Sequence, residues 1–365
     1  MKRKRVPKMI IGFSVFVTIL LLLILIVFPP SKGKIPQFYG ENGEVIENSI
    51  AEKCYLEVED GNLGMIIMAK DISNPVLLVC GGGPGIPEYL MEYMYPSGLT
   101  DQFVVCYLEY RGTGLSYSSD IKVEEMTTEK YMSDVVAVSK YLSERFGQEK
   151  IYILGHSFGT YIAIKTVQQY PEYYNAYIAM AQTCNQTESE YMAYDYMKAQ
   201  YEQLGNTKMV GKFENCPIRE SDEMYTKYFA SSLRDTAMHE LGVGTTRDMD
   251  SVISGIFFPS LRCKAYTWQE RINLWRGKGL SSQFSVVNDS THFNAFSEVP
   301  SLQIPIYFFA GKYDYTCCFG LQYEYYEQID APIKEFYVFE NSAHSPIFEE
   351  PEVAAKLFEE ILEAE

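Results

Sequence analysis

A chain of 365 residues, 47% hydrophobic and 22% charged, is long and apolar enough to bury a large core, and its 30 tyrosines argue against disorder. With 31 basic against 48 acidic residues it carries a formal net charge of −17, which should repel nucleic acid and an anionic membrane surface. Five of the basic residues, Lys2, Arg3, Lys4, Arg5 and Lys8, lie in the first eight positions, so the rest of the chain is more acidic still.

Behind this basic tail (residues 1–8) runs MIIGFSVFVTILLLLILIVF, residues 9–28, without a charge. As a helix rising ~1.5 Å per residue it would reach about 30 Å, the thickness of a bilayer core. The apolar region of a cleaved signal peptide is shorter, ~7–15 residues, and ends at a small-x-small site. Here the run ends in Phe28-Pro29-Pro30. The expectation is an uncleaved transmembrane anchor, single-pass in the cell membrane. The basic cluster before it predicts a cytoplasmic N-terminus and a catalytic body outside. Residues 29–50 read as a polar stalk.

From residue 51 short apolar runs alternate with helical stretches. Cys54–Val58 and Gly64–Ala69 read as an opening strand pair. Pro75–Cys80, Phe103–Leu108, Ile151–Leu154 and Ala176–Met180 read as buried strands, with helices over Thr128–Phe146 and Phe158–Tyr170. Strand rhythm then stops until Ile304–Ala310 and Glu335–Phe339, and Glu350–Glu365 closes the chain as a helix. Strands alternating with helices imply an α/β architecture, a mostly parallel sheet covered on both faces. Its core would comprise residues 51–182 and 301–365. The Tyr- and Met-rich stretch 183–300 would be a helical cap inserted between two strands.

Eight cysteines show no C-x-x-C pair and no zinc-like spacing. Cys80 and Cys106 end strand-like runs as small core residues. The vicinal Cys317-Cys318 reads as two thiols.

Chemistry concentrates at GHSFGT, residues 155–160. G-x-S-x-G after a strand and before a helix is a nucleophile elbow, whose turn tolerates only glycine-sized neighbours two residues either side of the serine. Ser157 is the candidate nucleophile. A hydroxyl needs a base and the base an orienting acid. His344, in the NSAHSP loop after the last strand, is the candidate base. Asp314, four residues past the strand before it, is the candidate acid, with Glu109 and Asp330 as weaker rivals. His156 reads as structural, and His239 and His292 as packing or surface residues of the insertion. The oxyanion needs two amide donors. One is the N–H of Phe158. The other should come from CGGGPG, residues 80–85, where Gly82 and Gly83 let the backbone approach a substrate. That loop lacks the G-K-[ST] ending of a phosphate cradle.

Over about residues 50–365 the chain resembles an α/β-hydrolase, and within that fold the prolyl aminopeptidase (proline iminopeptidase) group. That group has H-G-G-P-G where this chain has Gly81-Gly82-Gly83-Pro84-Gly85. It has D-Q-R-G-x-G-x-S where this chain has Glu109-Tyr110-Arg111-Gly112-Thr113-Gly114-Leu115-Ser116. The AGKYD and SAHSP segments match its acid and histidine positions. The resemblance implies an oxyanion hole at Gly83 and Phe158, and a cap that selects small N-terminal residues. Acidic cap residues hold the free amine in that group; Glu188, Glu190 and Asp195 are available here, and none aligns.

The reading is a membrane-anchored serine hydrolase, aminopeptidase-like on short peptides, working through Ser157, His344 and Asp314 and an acyl-enzyme. No metal and no cofactor is implied. A carboxylesterase with the same triad is the alternative, and a silent hydrolase-fold binding protein a more distant one.

Overall fold

Val76–Cys80, Val104–Leu108 and Ile151–His156 are buried at every position. Runs that short and that apolar satisfy their backbone only inside a sheet covered on both faces. In the computed structural model, which describes residues 8–229 and 231–364, they lie at the centre of an eight-stranded sheet. Side chains of residues 8–12, 21, 24 and 27 fall outside that description. The strands are β1 (Ile50–Val58), β2 (Gly61–Ala69), β3 (Val76–Cys80), β4 (Val104–Leu108), β5 (Ile151–His156), β6 (Tyr174–Met180), β7 (Ile306–Gly311) and β8 (Lys334–Phe339). Their order is β1-β2-β4-β3-β5-β6-β7-β8. β1 and β2 form an antiparallel pair, β2 runs antiparallel to β4, and every later pairing is parallel.

Register decides where the site sits. Cys80 pairs with Gly155, His156 with Met180, and Met180 with Phe309. The carboxyl ends of β3, β5, β6 and β7 therefore finish along one edge. The order reverses direction around β3 and β5, the position where open α/β sheets bind ligands.

Helices cover both faces. Thr128–Phe146 starts on Thr127, whose side chain accepts the Lys130 N–H, and stops at Gly147, φ 64°. Phe158–Gln169 is buried nearly all round, packed beneath the sheet. Pro351–Glu363 closes the opposite face with Ala354, Phe358 and Ile361.

Between β6 and β7 the chain builds helices from Gln186–Gln203 to Ala295–Glu298. They hold a small core of their own around Tyr194, Met197, Phe213, Tyr228 and Met238. The helix Trp268–Ser281 lies on the turn after β4. A β-carbon on Gly277 would sit 2.8 Å from the Gly112 carbonyl oxygen, so glycine there permits backbone contact.

The N-terminal backbone is helical over Lys8–Val27. The expected anchor falls partly outside the described side chains, and Lys2 to Arg5 lie outside the described residues altogether. Among the described residues no helix is long and apolar enough to cross a membrane. The stalk is packed onto the body. The Pro29 carbonyl accepts from Trp268 Nε1 at 3.0 Å and from Arg271 Nη1 at 2.6 Å. Phe28 stacks on Trp268 with ring centroids 5.5 Å apart, and Ile35 is buried against the sheet.

Candidate active site

Ser157 joins β5 to the helix Phe158–Gln169 at φ 55°, ψ −123°, a conformation that strains any residue with a β-carbon. Its flanking glycines are there for space. A β-carbon on Gly159 would lie 1.9 Å from the Cys80 carbonyl oxygen, and one on Gly155 2.7 Å from Thr160 Cα. The turn is held from below. The Ser157 N–H donates to Met180 O at 3.1 Å, and the Ser157 carbonyl accepts from the Thr160 N–H and from the Thr160 and Thr183 hydroxyls.

His344 follows β8, on a loop that packs against the end of β7. Its Nδ1 lies 3.0 and 3.1 Å from the two oxygens of Asp314. Asp314 is fully buried. One of its oxygens also accepts the N–H groups of Thr316 and Cys317, and the other the Gln322 amide. That geometry holds the carboxylate still and leaves the second imidazole nitrogen for the cavity. Gly311, at the end of β7, lets the acid and histidine loops touch: its β-carbon would stand 1.8 Å from Ala343 O.

The rivals lie elsewhere. Glu109 is buried beneath the turn after β4, accepting from Tyr266 Oη at 2.7 Å and from the Leu115 N–H at 2.5 Å. Burial pushes its pKa up to about 8, against the pull of those two donors. Asp330 is exposed and pairs through its backbone with Ser301 and Pro300. Arg111 forks onto Asp134 at 2.7 and 2.9 Å and caps the Glu59 and Asp60 carbonyls, a structural role.

Ser157, Phe158, His344, Gly82 and Gly83 line one cavity of about 390 Å³, roofed by the insertion. Gly83 sits at φ 115°. Phe158 opens its helix, and first-turn N–H groups have no partner inside a helix. Both residues line the cavity beside Ser157. Much of the remaining wall is apolar, including Ile86, Met91, Phe229, Val252, Ile256 and Val287.

Two features were not read from the sequence. Glu88 is buried under the glycine loop, with Oε1 2.7 Å from His156 Nδ1 and Oε2 accepting the Gly82 N–H at 3.1 Å. His156 Nε2 donates to the His344 carbonyl at 2.9 Å. Burial would raise the Glu88 carboxyl and lower the His156 imidazole. Their attraction overrides both, holding the carboxyl below and the imidazole above its ordinary pKa. Glu88 also explains Gly81: a β-carbon there would stand 2.8 Å from Glu88 Cβ. The second feature is the state of the acidic cap residues. Glu190 is fully buried, gripped by Arg234 at 2.5 and 2.7 Å. Asp195 forks onto Arg219 at the surface, and Glu188 is exposed in the first turn of its helix.

A strained serine at the carboxyl edge, a carboxylate-held histidine and a glycine loop beside them define the α/β-hydrolase class. Residues 75–351 match the alpha/beta hydrolase fold family, and the chain belongs to it. It is 30% identical over 311 residues to the "Probable aminopeptidase YbaC" of Bacillus subtilis strain 168, covering 85% of this chain and 95% of that protein. Among solved structures, it resembles the proline iminopeptidase of Mycobacterium smegmatis with a TM-score of 0.61 at 16% identity, over 86% of this chain and 98% of the other. It also resembles the 2-hydroxy-6-oxo-6-phenylhexa-2,4-dienoate hydrolase of Rhodococcus sp. strain RHA1, TM-score 0.54 at 14% identity, with coverage of 86% and 98%. The protein is an α/β-hydrolase that resembles prolyl aminopeptidases.

Proposed function

We propose that the chain is a membrane-anchored serine hydrolase that removes N-terminal residues from short peptides. The observation that carries the mechanism is Ser157 at positive φ in the same cavity as His344, whose Nδ1 is held by buried Asp314. Ser157 Oγ attacks the acyl carbon while His344 Nε2 takes its proton. The Gly83 and Phe158 amides receive the oxyanion. His344 returns the proton to the leaving amine, and water then clears the acyl-enzyme with His344 again as base. Asp314 fixes the tautomer and balances the imidazolium.

Peptide rather than ester chemistry is supported by the aminopeptidase-named relative. A carboxylesterase is the second reading, favoured by the apolar wall and by Arg234 neutralising Glu190. The anchor rests on the uncharged run 9–28, and the Trp268 and Arg271 clamp on Pro29 would hold the body close to it. The test compares full-length protein with Ser157→Ala on prolyl-naphthylamide and a short-chain nitrophenyl ester. Ser157-dependent release from the amide, lost when the proline nitrogen is blocked, is expected. Ester turnover alone would replace the peptidase reading with the esterase one.

A further inference from the structure

Charges at the cavity wall come in pairs, with one exception. His344 faces Asp314, His156 faces Glu88, and Arg234 faces Glu190. Lys278, in the last turn of the helix Trp268–Ser281, lines the same cavity, and its Nζ donates to the Pro84 carbonyl at 3.1 Å. An ammonium has three donors and no acceptor, so one carbonyl leaves capacity for a second oxygen ligand. Among the described residues lining the cavity, it is the charge without a counter-ion. Burial alone, with no charged neighbour to offset it, lowers its pKa.

Its position is built. The lysine stem lies against Gly85, where a β-carbon would stand 3.0 Å from Lys278 Cα and 3.3 Å from its Cδ. Gly85 is at φ 97°, so both conformation and space require glycine. The glycine loop thus touches the nucleophile at one end and this lysine at the other. A β-carbon on Gly82 would lie 3.1 Å from Ser157 Cβ, and Pro84 holds the ammonium. Between Gly82 and Pro84 the chain can span no more than ~7 Å, so both contacts belong to one short loop.

An aminopeptidase releases the fragment that carries the C-terminus. In a cavity near the small end of ligand pockets, that fragment is short and its carboxylate lies near the bond being cut. We propose that Lys278 binds the free C-terminal carboxylate of the substrate, making the cavity selective for dipeptides and tripeptides. The proposal rests on the peptidase reading above. It also explains how an acidic protein would admit an anionic end group: a partly buried cation with no counter-ion of its own offsets the surrounding charge.

The test uses full-length protein with prolyl-glycine and prolyl-glycinamide, which differ only in that carboxylate. Wild type should favour the acid in kcat/KM by ~10-fold or more, the size of one charge-assisted hydrogen bond. Lys278→Met keeps the stem and should bring the ratio close to one; Lys278→Arg should restore most of it. Equal turnover of acid and amide by wild type, or an equal fall on both in Lys278→Met, would overturn the proposal. A second measurement separates it from the peptidase reading: inhibition of Ser157-dependent nitrophenyl acetate turnover by N-acetylglycine and by its amide. If no peptide is cleaved, stronger inhibition by the acid, lost in Lys278→Met, rejects the peptidase reading and keeps the anion subsite. Equal inhibition rejects the subsite.

Discussion

Glu88 and His156 form a buried ion pair in the cavity wall, with Oε1 2.7 Å from Nδ1. Through it three loops are tied together: Glu88 holds the Gly82 N–H, and His156 holds the His344 carbonyl. The rings of His156 and His344 lie 5.0 Å apart, centroid to centroid. The side chain next to Ser157 is thus a strut for the His344 loop.

Removing one partner of such a pair strands a buried charge, at a cost of about 3–5 kcal/mol. Glu88→Gln should therefore lower stability by that order. The pH dependence follows from the two shifts. The Glu88 carboxyl is held low, so its contribution is present above the ordinary ~4.5 and lost as pH falls through its depressed pKa. The His156 imidazole is held high, so its contribution is full below ~6.5 and lost as pH rises through its raised pKa. The gap in urea midpoint between wild type and variant should be widest between about pH 4.5 and 6.5 and narrow above. A gap independent of pH would show that the pair is not ionised.

Ser157 holds a strained backbone, φ 55°. Ser157→Ala keeps the β-carbon and the strain; Ser157→Gly relieves it. Both should be inactive, and the glycine variant should melt about one to two degrees above the alanine variant, reflecting about 1 kcal/mol. Equal melting temperatures would mean that the surrounding turn relaxes.

Glu109 gives a second pH signature, of opposite sign to Glu88. Its pKa is raised to about 8 by burial, so folding takes up a proton between about pH 4.5 and 8, and stability falls as pH rises through that window. The slope is about 1.4 kcal/mol per pH unit for a single proton. Glu109→Gln removes the charge and keeps one oxygen to accept the Leu115 N–H, while the Tyr266 hydroxyl can turn to accept from the new amide NH2. Denaturant midpoints at pH 5 and pH 8 should differ less in the variant than in wild type; parallel curves would count against the shift.

Asp314→Asn should leave the fold intact, because Thr316 and Cys317 still donate to the retained side-chain oxygen. It can no longer hold the His344 tautomer. Turnover should fall by about 10⁴, with an unchanged circular dichroism spectrum. A loss below tenfold would move the orienting role to another group.

Much of this was legible beforehand because it is local. The β5 strand and its glycine-flanked serine are contiguous, and the spacing itself encodes the turn. Asp314 and His344 could be placed because each follows a strand and parallel strands end on one edge. Glu88 could not. It lies on the Ile86–Glu88 segment with no periodic signal, and only the close approach of that segment to Gly81 brings it to His156. The pairing of Glu190 with Arg234 was equally hidden, since the partners are 44 residues apart on helices whose packing the sequence pattern does not specify. The stalk read only as polar because Pro29 shows no sign of its contact with Arg271, 242 residues away.

The most direct test of the central claim is covalent. Full-length protein would be treated with a fluorophosphonate and digested, and the adduct located by mass spectrometry. The account predicts a single adduct on Ser157, formed much more slowly in His344→Ala. An adduct on another residue, or labelling of Ser157 at an equal rate without His344, would contradict it.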